Sequence, residues 1–140
     1  MEKIRTCFGC GISLKLRHKI KFCSNQCQRD KEYKDWLLSW KQGKKGGGIG
    51  ITVRTISGHL RRYLIERSGG KCSMCGWSKI NPTTGIVPLE IDHIDGNAEN
   101  NTEENLRLIC PNCHALTPFF KNLNKGNGRK WRMSKYIKNA

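Results

Sequence analysis

Eight cysteines stand in close pairs, and no other feature limits the fold of this 140-residue chain as tightly. Cys7-x2-Cys10 is followed after twelve residues by Cys23-x3-Cys27, and Cys72-x2-Cys75 after 34 residues by Cys110-x2-Cys113. The spacing matches that of thiolate metal ligands. Disulfides are the alternative, but Met1–Cys7 holds no apolar run fit for an export signal. A cytoplasmic, reducing setting is therefore expected, in which paired cysteines hold metal. Four thiolates leave zinc no open position, so two structural Zn2+ sites are expected: Cys7, Cys10, Cys23 and Cys27 in one, Cys72, Cys75, Cys110 and Cys113 in the other. The chain needs such staples. Its hydrophobic content is only 36%, and pieces under about 60 residues seldom bury enough apolar surface to fold unaided.

The punctuation of the sequence divides the chain into four. Residues 1–42 predict an N-terminal zinc finger of knuckle, hairpin (Ser13 to Phe22) and helix. Ser24 is a good cap for that helix, which runs to about Lys41. Tyr33, Trp36, Leu37 and Trp40 recur at i, i+3, i+4 and i+7 along it. Such a stripe beside a zinc knuckle reads as core, with base stacking by the tryptophans as the rival. Residues 43–50 hold five glycines and read as a flexible basic linker. Residues 51–121 form the second domain. There Ser57 to Arg67 predicts a helix with Leu60, Leu64 and Ile65 inward and Arg61 and Arg62 outward, ended by Gly69-Gly70. Asn81 to Gly85 reads as a turn, and Val87 to Asp92 as a strand. Residues 122–140 are a basic tail. His18 and His59 have no company of interest and read as surface residues.

Between the second pair of cysteine knuckles lies the stretch that carries chemistry. Asp92-His93 is followed by Asn105 twelve residues after the histidine and by His114 nine residues further on. A carboxylate and an imidazole could hold a hard divalent cation, while another imidazole takes a proton from water. Successive side chains on a strand point to opposite faces, so Asp92 and His93 cannot share one ion unless His93 sits where the strand ends. Asp92 on the metal and His93 on the water is the division that suits them.

These residues resemble the HNH, or ββα-metal, endonuclease family at all three signature positions, over roughly residues 57–121. The resemblance implies that His93 is the general base, that Asp92 and His114 bind one catalytic Mg2+ or Mn2+, and that Asn105 orients the loop and the base. It implies that the four cysteines around this stretch hold structural zinc, and that the reaction is hydrolysis of a DNA phosphodiester. The expected fold class is then a small α+β zinc-stabilised protein, an N-terminal zinc finger joined to a ββα-metal nuclease domain. One site of this kind should nick one strand, through a monomer or a dimer assembled on DNA. By analogy, the small size and added finger suit a phage or mobile-element enzyme. Homing is the first expectation, restriction or packaging cleavage the next, and a non-catalytic nucleic-acid-binding zinc protein the rival outside the family.

Charge agrees with a polyanionic partner. The formal net charge is +15, spread as 12 Lys/Arg against 4 acids in residues 1–50 and 7 against none in 121–140. Residues 90–120 reverse the sign, with 6 acids and only Arg107. Basic flanks around an acidic centre suit a nucleic acid gripped at the edges and a cation held in the middle. Charge alone does not separate DNA from RNA. Arg61, Arg62, Arg107, Lys121, Arg129, Lys130 and Arg132 are the candidate DNA contacts, with Arg107 either on a phosphate or merely solvated. Neither a small-molecule substrate nor a membrane partner is expected.

Overall fold

The computed structural model describes residues 4–15, 21–49 and 55–125, and the chain divides into two compact units, Met1–Lys45 and Gly46–Ala140. Among the described residues, no helix is long and apolar enough to cross a membrane.

In the first unit a tight knuckle at Cys7–Gly11 precedes a long helix, α1 (Asn25–Lys41). Ser24 caps α1, its side chain accepting the Cys27 N–H at 3.1 Å, which satisfies one of the donors a helix start leaves free. Tyr33 and Trp40 are buried, and the Trp36 and Trp40 rings stack with centroids 5.8 Å apart. Of the stripe on α1, Tyr33 and Trp40 are thus buried and Trp36 and Leu37 half-buried. Much of the expected hairpin between Ser13 and Phe22 lies outside the described residues. Its described ends show a Thr6–Ser13 bridge and a Phe8 N–H bond to the Lys21 carbonyl at 2.9 Å.

The second unit begins inside the glycine-rich stretch. β1 (Gly48–Ile49) pairs antiparallel with β2 (Thr55–Ile56), and the Gly47 carbonyl accepts the Ser57 N–H at 2.9 Å. Gly47 is buried. A Cβ there would lie 2.5 Å from Leu60 Cδ2 and 2.8 Å from Asn101 Cβ. The expectation of a linker throughout 43–50 therefore gives way: the end of the stretch is glycine because backbone must pass close to packed side chains.

α2 (Gly58–Ser68) is capped by Ser57 and closed by Gly69 in the left-handed conformation, φ +62°. Leu60 and Leu64 are buried, but Ile65, expected inward, is 44% exposed. Tyr63 is the half-buried residue of that face, at i+3 from Leu60, while Arg67 at i+7 is exposed and reaches along the surface to the chain beyond. Arg67 donates to the Glu103 carbonyl at 3.1 Å and to the Leu106 carbonyl at 2.5 Å, and Tyr63 OH bonds Glu103. These contacts tie α2 to the start of the central hairpin.

That hairpin is β3 (Glu90–His93) paired antiparallel with β4 (Leu106–Ile109), in the register Glu90–Ile109, Ile91–Leu108, Asp92–Arg107 and His93–Leu106. The strand begins later than the sequence suggested, because Pro88 has no N–H to give a ladder. Leu106, Leu108 and Ile109 are almost fully buried. The Cys72–Cys75 knuckle hangs on β4, with the Ser73 N–H and hydroxyl both donating to the Leu108 carbonyl at 2.9 Å. α3 (Pro111–Ala115) follows β4 at once, with proline in its first turn, where a missing N–H costs nothing. A 3-10 turn, Lys121–Asn124, then folds back on the hairpin loop, Asn124 donating to the Gly96 carbonyl at 2.8 Å.

Candidate active site

β3 sorts the chemistry by face. Glu90 and Asp92, two residues apart, both meet His114 on α3, whereas His93 turns to the other side. His114 Nε2 stands 3.7 Å from Asp92 Oδ1, and His114 Nδ1 is hydrogen-bonded to Glu90 Oε2. Asp92 is only 5% exposed. Its second oxygen, Oδ2, accepts from Arg107 Nε at 2.7 Å, directly across the ladder. A hard oxygen and an imidazole nitrogen thus face each other, a donor pair that fits a Mg2+ or Mn2+ ion keeping water or phosphate in its other positions. Phe120 packs edge-on against the His114 ring, centroids 5.2 Å apart.

On the other face, His93 Nε2 bonds to Asn101 Oδ1 at 2.8 Å. An amide oxygen only accepts, so Nε2 carries the proton and Nδ1 keeps the lone pair of a base. Asn101 is itself buried, and it belongs to a loop bound together by Asn105. Asn105 Oδ1 accepts the Asp95 N–H at 2.9 Å, and its Nδ2 donates to Asp95 Oδ1 and to the Asn100 carbonyl, both at 2.8 Å. The Asn105 side chain therefore orders the loop that carries Asn101, and its carbonyl accepts the Ile94 N–H beside His93 at 2.9 Å. Burial would raise the Asp95 carboxyl, but hydrogen bonds from the Asn100 side chain, the Asn97 N–H and the Asn105 side chain outweigh it. With His93 nearby, they hold Asp95 below the ordinary carboxylate value.

The cysteines gather as two quartets, each with all four sulfurs within 4.8 Å of one another. All eight are free thiols, so the disulfide alternative finds no counterpart. In the first, the Gly9 and Cys23 N–H groups donate to Cys7 Sγ at 3.4 Å. A Cβ at Gly9 would come 2.5 Å from Cys27 Sγ. In the second, Cys110 Sγ accepts the Cys113 N–H and so caps α3. The two quartets share an electrostatic pattern. Burial would push Cys7 and Cys72 up, yet backbone N–H groups outweigh it and lower each to about 6. Cys27 is driven up to about 12 chiefly by the Cys7 thiol, and Cys113 to about 12 by the thiols of Cys75 and Cys110. Four sulfurs this close cannot all be thiolates without a cation among them, and sulfur donors suit zinc.

The remaining candidates divide. Arg61 is exposed on α2, and Arg62 is paired with Glu66 at 2.8 Å. Lys121 lies over the Phe120 ring at 4.8 Å, close by the face that holds His114. Arg107, expected on a phosphate or in solvent, is engaged by Asp92 instead, because cross-strand register sets the two opposite each other. Arg129, Lys130 and Arg132 lie outside the described residues, as does His18. The sequence reading missed Glu90 and Asn101. Glu90 was within reach, since a residue two before Asp92 on a strand shares its face. Asn101 sits in a loop without periodicity and gave no such signal.

Residues 72–116 match the family model described as HNH endonuclease. Over 56 residues the chain is 48% identical to the H-N-H endonuclease F-TflIV of Escherichia phage T5. That stretch is 40% of this chain and 24% of the phage protein, so the likeness spans about a quarter of the relative's length. No solved structure matches the chain. The matched stretch lies in the second unit, and Asp92, His93, Asn105 and His114 all fall within it.

Proposed function

We propose that the chain is a metal-dependent DNA endonuclease that hydrolyses phosphodiester bonds and nicks one strand per active site. The observation that carries this reading is the meeting of Asp92 Oδ1 and His114 Nε2 at 3.7 Å, with His93 on the opposite face of the same strand. Asp92 and His114 would hold one Mg2+ or Mn2+ ion, which supplies positive charge beside the scissile phosphate and the departing 3′ oxygen. His93, its Nε2–H anchored on Asn101, takes the proton of the attacking water on Nδ1. Arg107 keeps the Asp92 carboxylate turned so that Oδ1 is the free oxygen. Each cysteine quartet would hold a zinc ion as a closed structural site, and the one around the hairpin ties β4 and α3 to the knuckle before β3. One base and one ion serve one strand, so a double-strand break needs two chains or two rounds. The phage origin of the relative suits a homing or other mobile-element role, with packaging or restriction cleavage as the next readings.

A supercoiled-plasmid assay tests this, with the native target sequence supplied and with magnesium, manganese or EDTA. Metal-dependent open circles, lost in His93→Ala while zinc content stays the same, are the expected result. Linear product from the outset would overturn the single-strand reading. Binding without cutting, in the presence of the native target, would leave a non-catalytic DNA-binding zinc protein.

A further inference from the structure

On the two strands of the hairpin the acidic side chains are Glu90 and Asp92, and the proposed reaction leaves Glu90 without a task. It shares the face of β3 with Asp92 and binds the nitrogen of His114 that Asp92 does not face. A neutral imidazole has one N–H and one lone pair, and only the lone pair can bind a metal. A carboxylate can only accept, so the proton belongs on Nδ1 and the lone pair on Nε2. We propose that Glu90 is a positioning residue for His114: it fixes the Nδ1–H form of the ring and so presents Nε2 to the divalent ion beside Asp92. This inference rests on the metal-site reading above.

Three further observations favour positioning over direct ligation. Among the described residues, only the cysteine quartets bring three or more Cys, His, Asp or Glu donor atoms within 4.8 Å of one another, so Glu90 does not complete a set with Asp92 and His114. α3 has only five residues, and a helix that short cannot by itself hold a side chain in one orientation. The ring is instead gripped from two sides, by Glu90 and by the edge-on Phe120. Carboxylate–histidine–metal chains of this kind orient the ring and raise the basicity of the ligating nitrogen. The competing account is a half-exposed ion pair between Glu90 and an imidazolium, which would contribute little and would leave both nitrogens protonated.

The test uses the full zinc-loaded chain. Ring-nitrogen NMR with labelled histidine, His114 being assigned through His114→Asn, reads the protonation of each nitrogen at neutral pH. Manganese affinity is measured in parallel by electron paramagnetic resonance. The wild type should show His114 protonated on Nδ1 and bare on Nε2. Glu90→Ala should lose that preference and weaken manganese binding about 10- to 100-fold, with zinc content and the amide spectrum of the core retained. Glu90→Gln, whose side-chain oxygen still accepts, should restore the tautomer and recover part of the affinity. The proposal is overturned if wild-type His114 carries its proton on Nε2 or on both nitrogens. It is equally overturned if Glu90→Ala leaves tautomer and affinity unchanged within about twofold. Asp92→Ala separates the two layers: if it binds manganese as the wild type does, the ion-site reading fails, while the tautomer still decides the role of Glu90.

Discussion

Arg107 Nε holds one oxygen of Asp92 at 2.7 Å while the other oxygen looks at His114, so a cross-strand pair sets which lone pairs the site can use. Arg107→Ala would leave a nearly buried carboxylate free to turn. Plasmid cleavage should fall about 10- to 100-fold, as when other groups that orient metal ligands are removed, with zinc content unchanged. An arginine that only held phosphate would behave differently: its loss would reduce the salt dependence of DNA binding and leave metal affinity alone.

Asn105 spends its side chain on Asp95 and the Asn100 carbonyl. Asn105→Ala should cost about 1–3 kcal/mol, the usual penalty for stranding buried partners, seen as a lower melting temperature. Cleavage should fall as well, because the loop also carries Asn101. A variant that melts like the wild type but cuts poorly would instead place Asn105 in direct contact with the reacting groups.

Gly47 touches Asn101, and Asn101 touches His93. Gly47→Ala forces a methyl group against Leu60 and Asn101, and overpacking of this kind costs about 1–3 kcal/mol. The His93 ring signals should shift in the NMR spectrum although the substitution lies far away in sequence. Unmoved His93 signals would show that the loop absorbs the methyl group elsewhere.

Cys110 is buried among Cys72 and Ile109, with Trp77, Leu89 and Cys113 packed around them, whereas Cys10 is exposed. Cys110→Ser should remove about one zinc per chain and with it the order of α3 and all cleavage. Cys10→Ser should also remove about one zinc while leaving the second unit's melting transition in place. Equal damage from both, measured by zinc assay and calorimetry, would refute independent sites.

Much of this was legible in the residues. Ser24, Ser57 and Gly69 mark helix ends through local bonding that the sequence carries within three or four positions. The donor chemistry of Asp92 and His114 is likewise a property of the residues themselves. What was hidden depends on register and on approach between distant segments. The Asp92–Arg107 pair follows from which residues of β3 and β4 face each other, and nothing local sets that. The packing of Gly47 on Asn101 joins residues 54 apart, so a run of glycines read as slack when part of it is a tight fit. Ile65 went outward because an eleven-residue helix has one narrow buried stripe, which Leu60, Leu64 and the half-buried Tyr63 fill.

α3 is too short to persist alone, since isolated helices under about 12–15 residues are marginal in water. Its cap Cys110 and its own Cys113 both belong to the second quartet, and His114 comes next in the chain. The place of His114 is thus inherited from the thiolate site rather than from the helix that bears it. Scarcity of one metal would then disarm the use of another: a chain made without zinc would be harmless to DNA however much magnesium surrounds it.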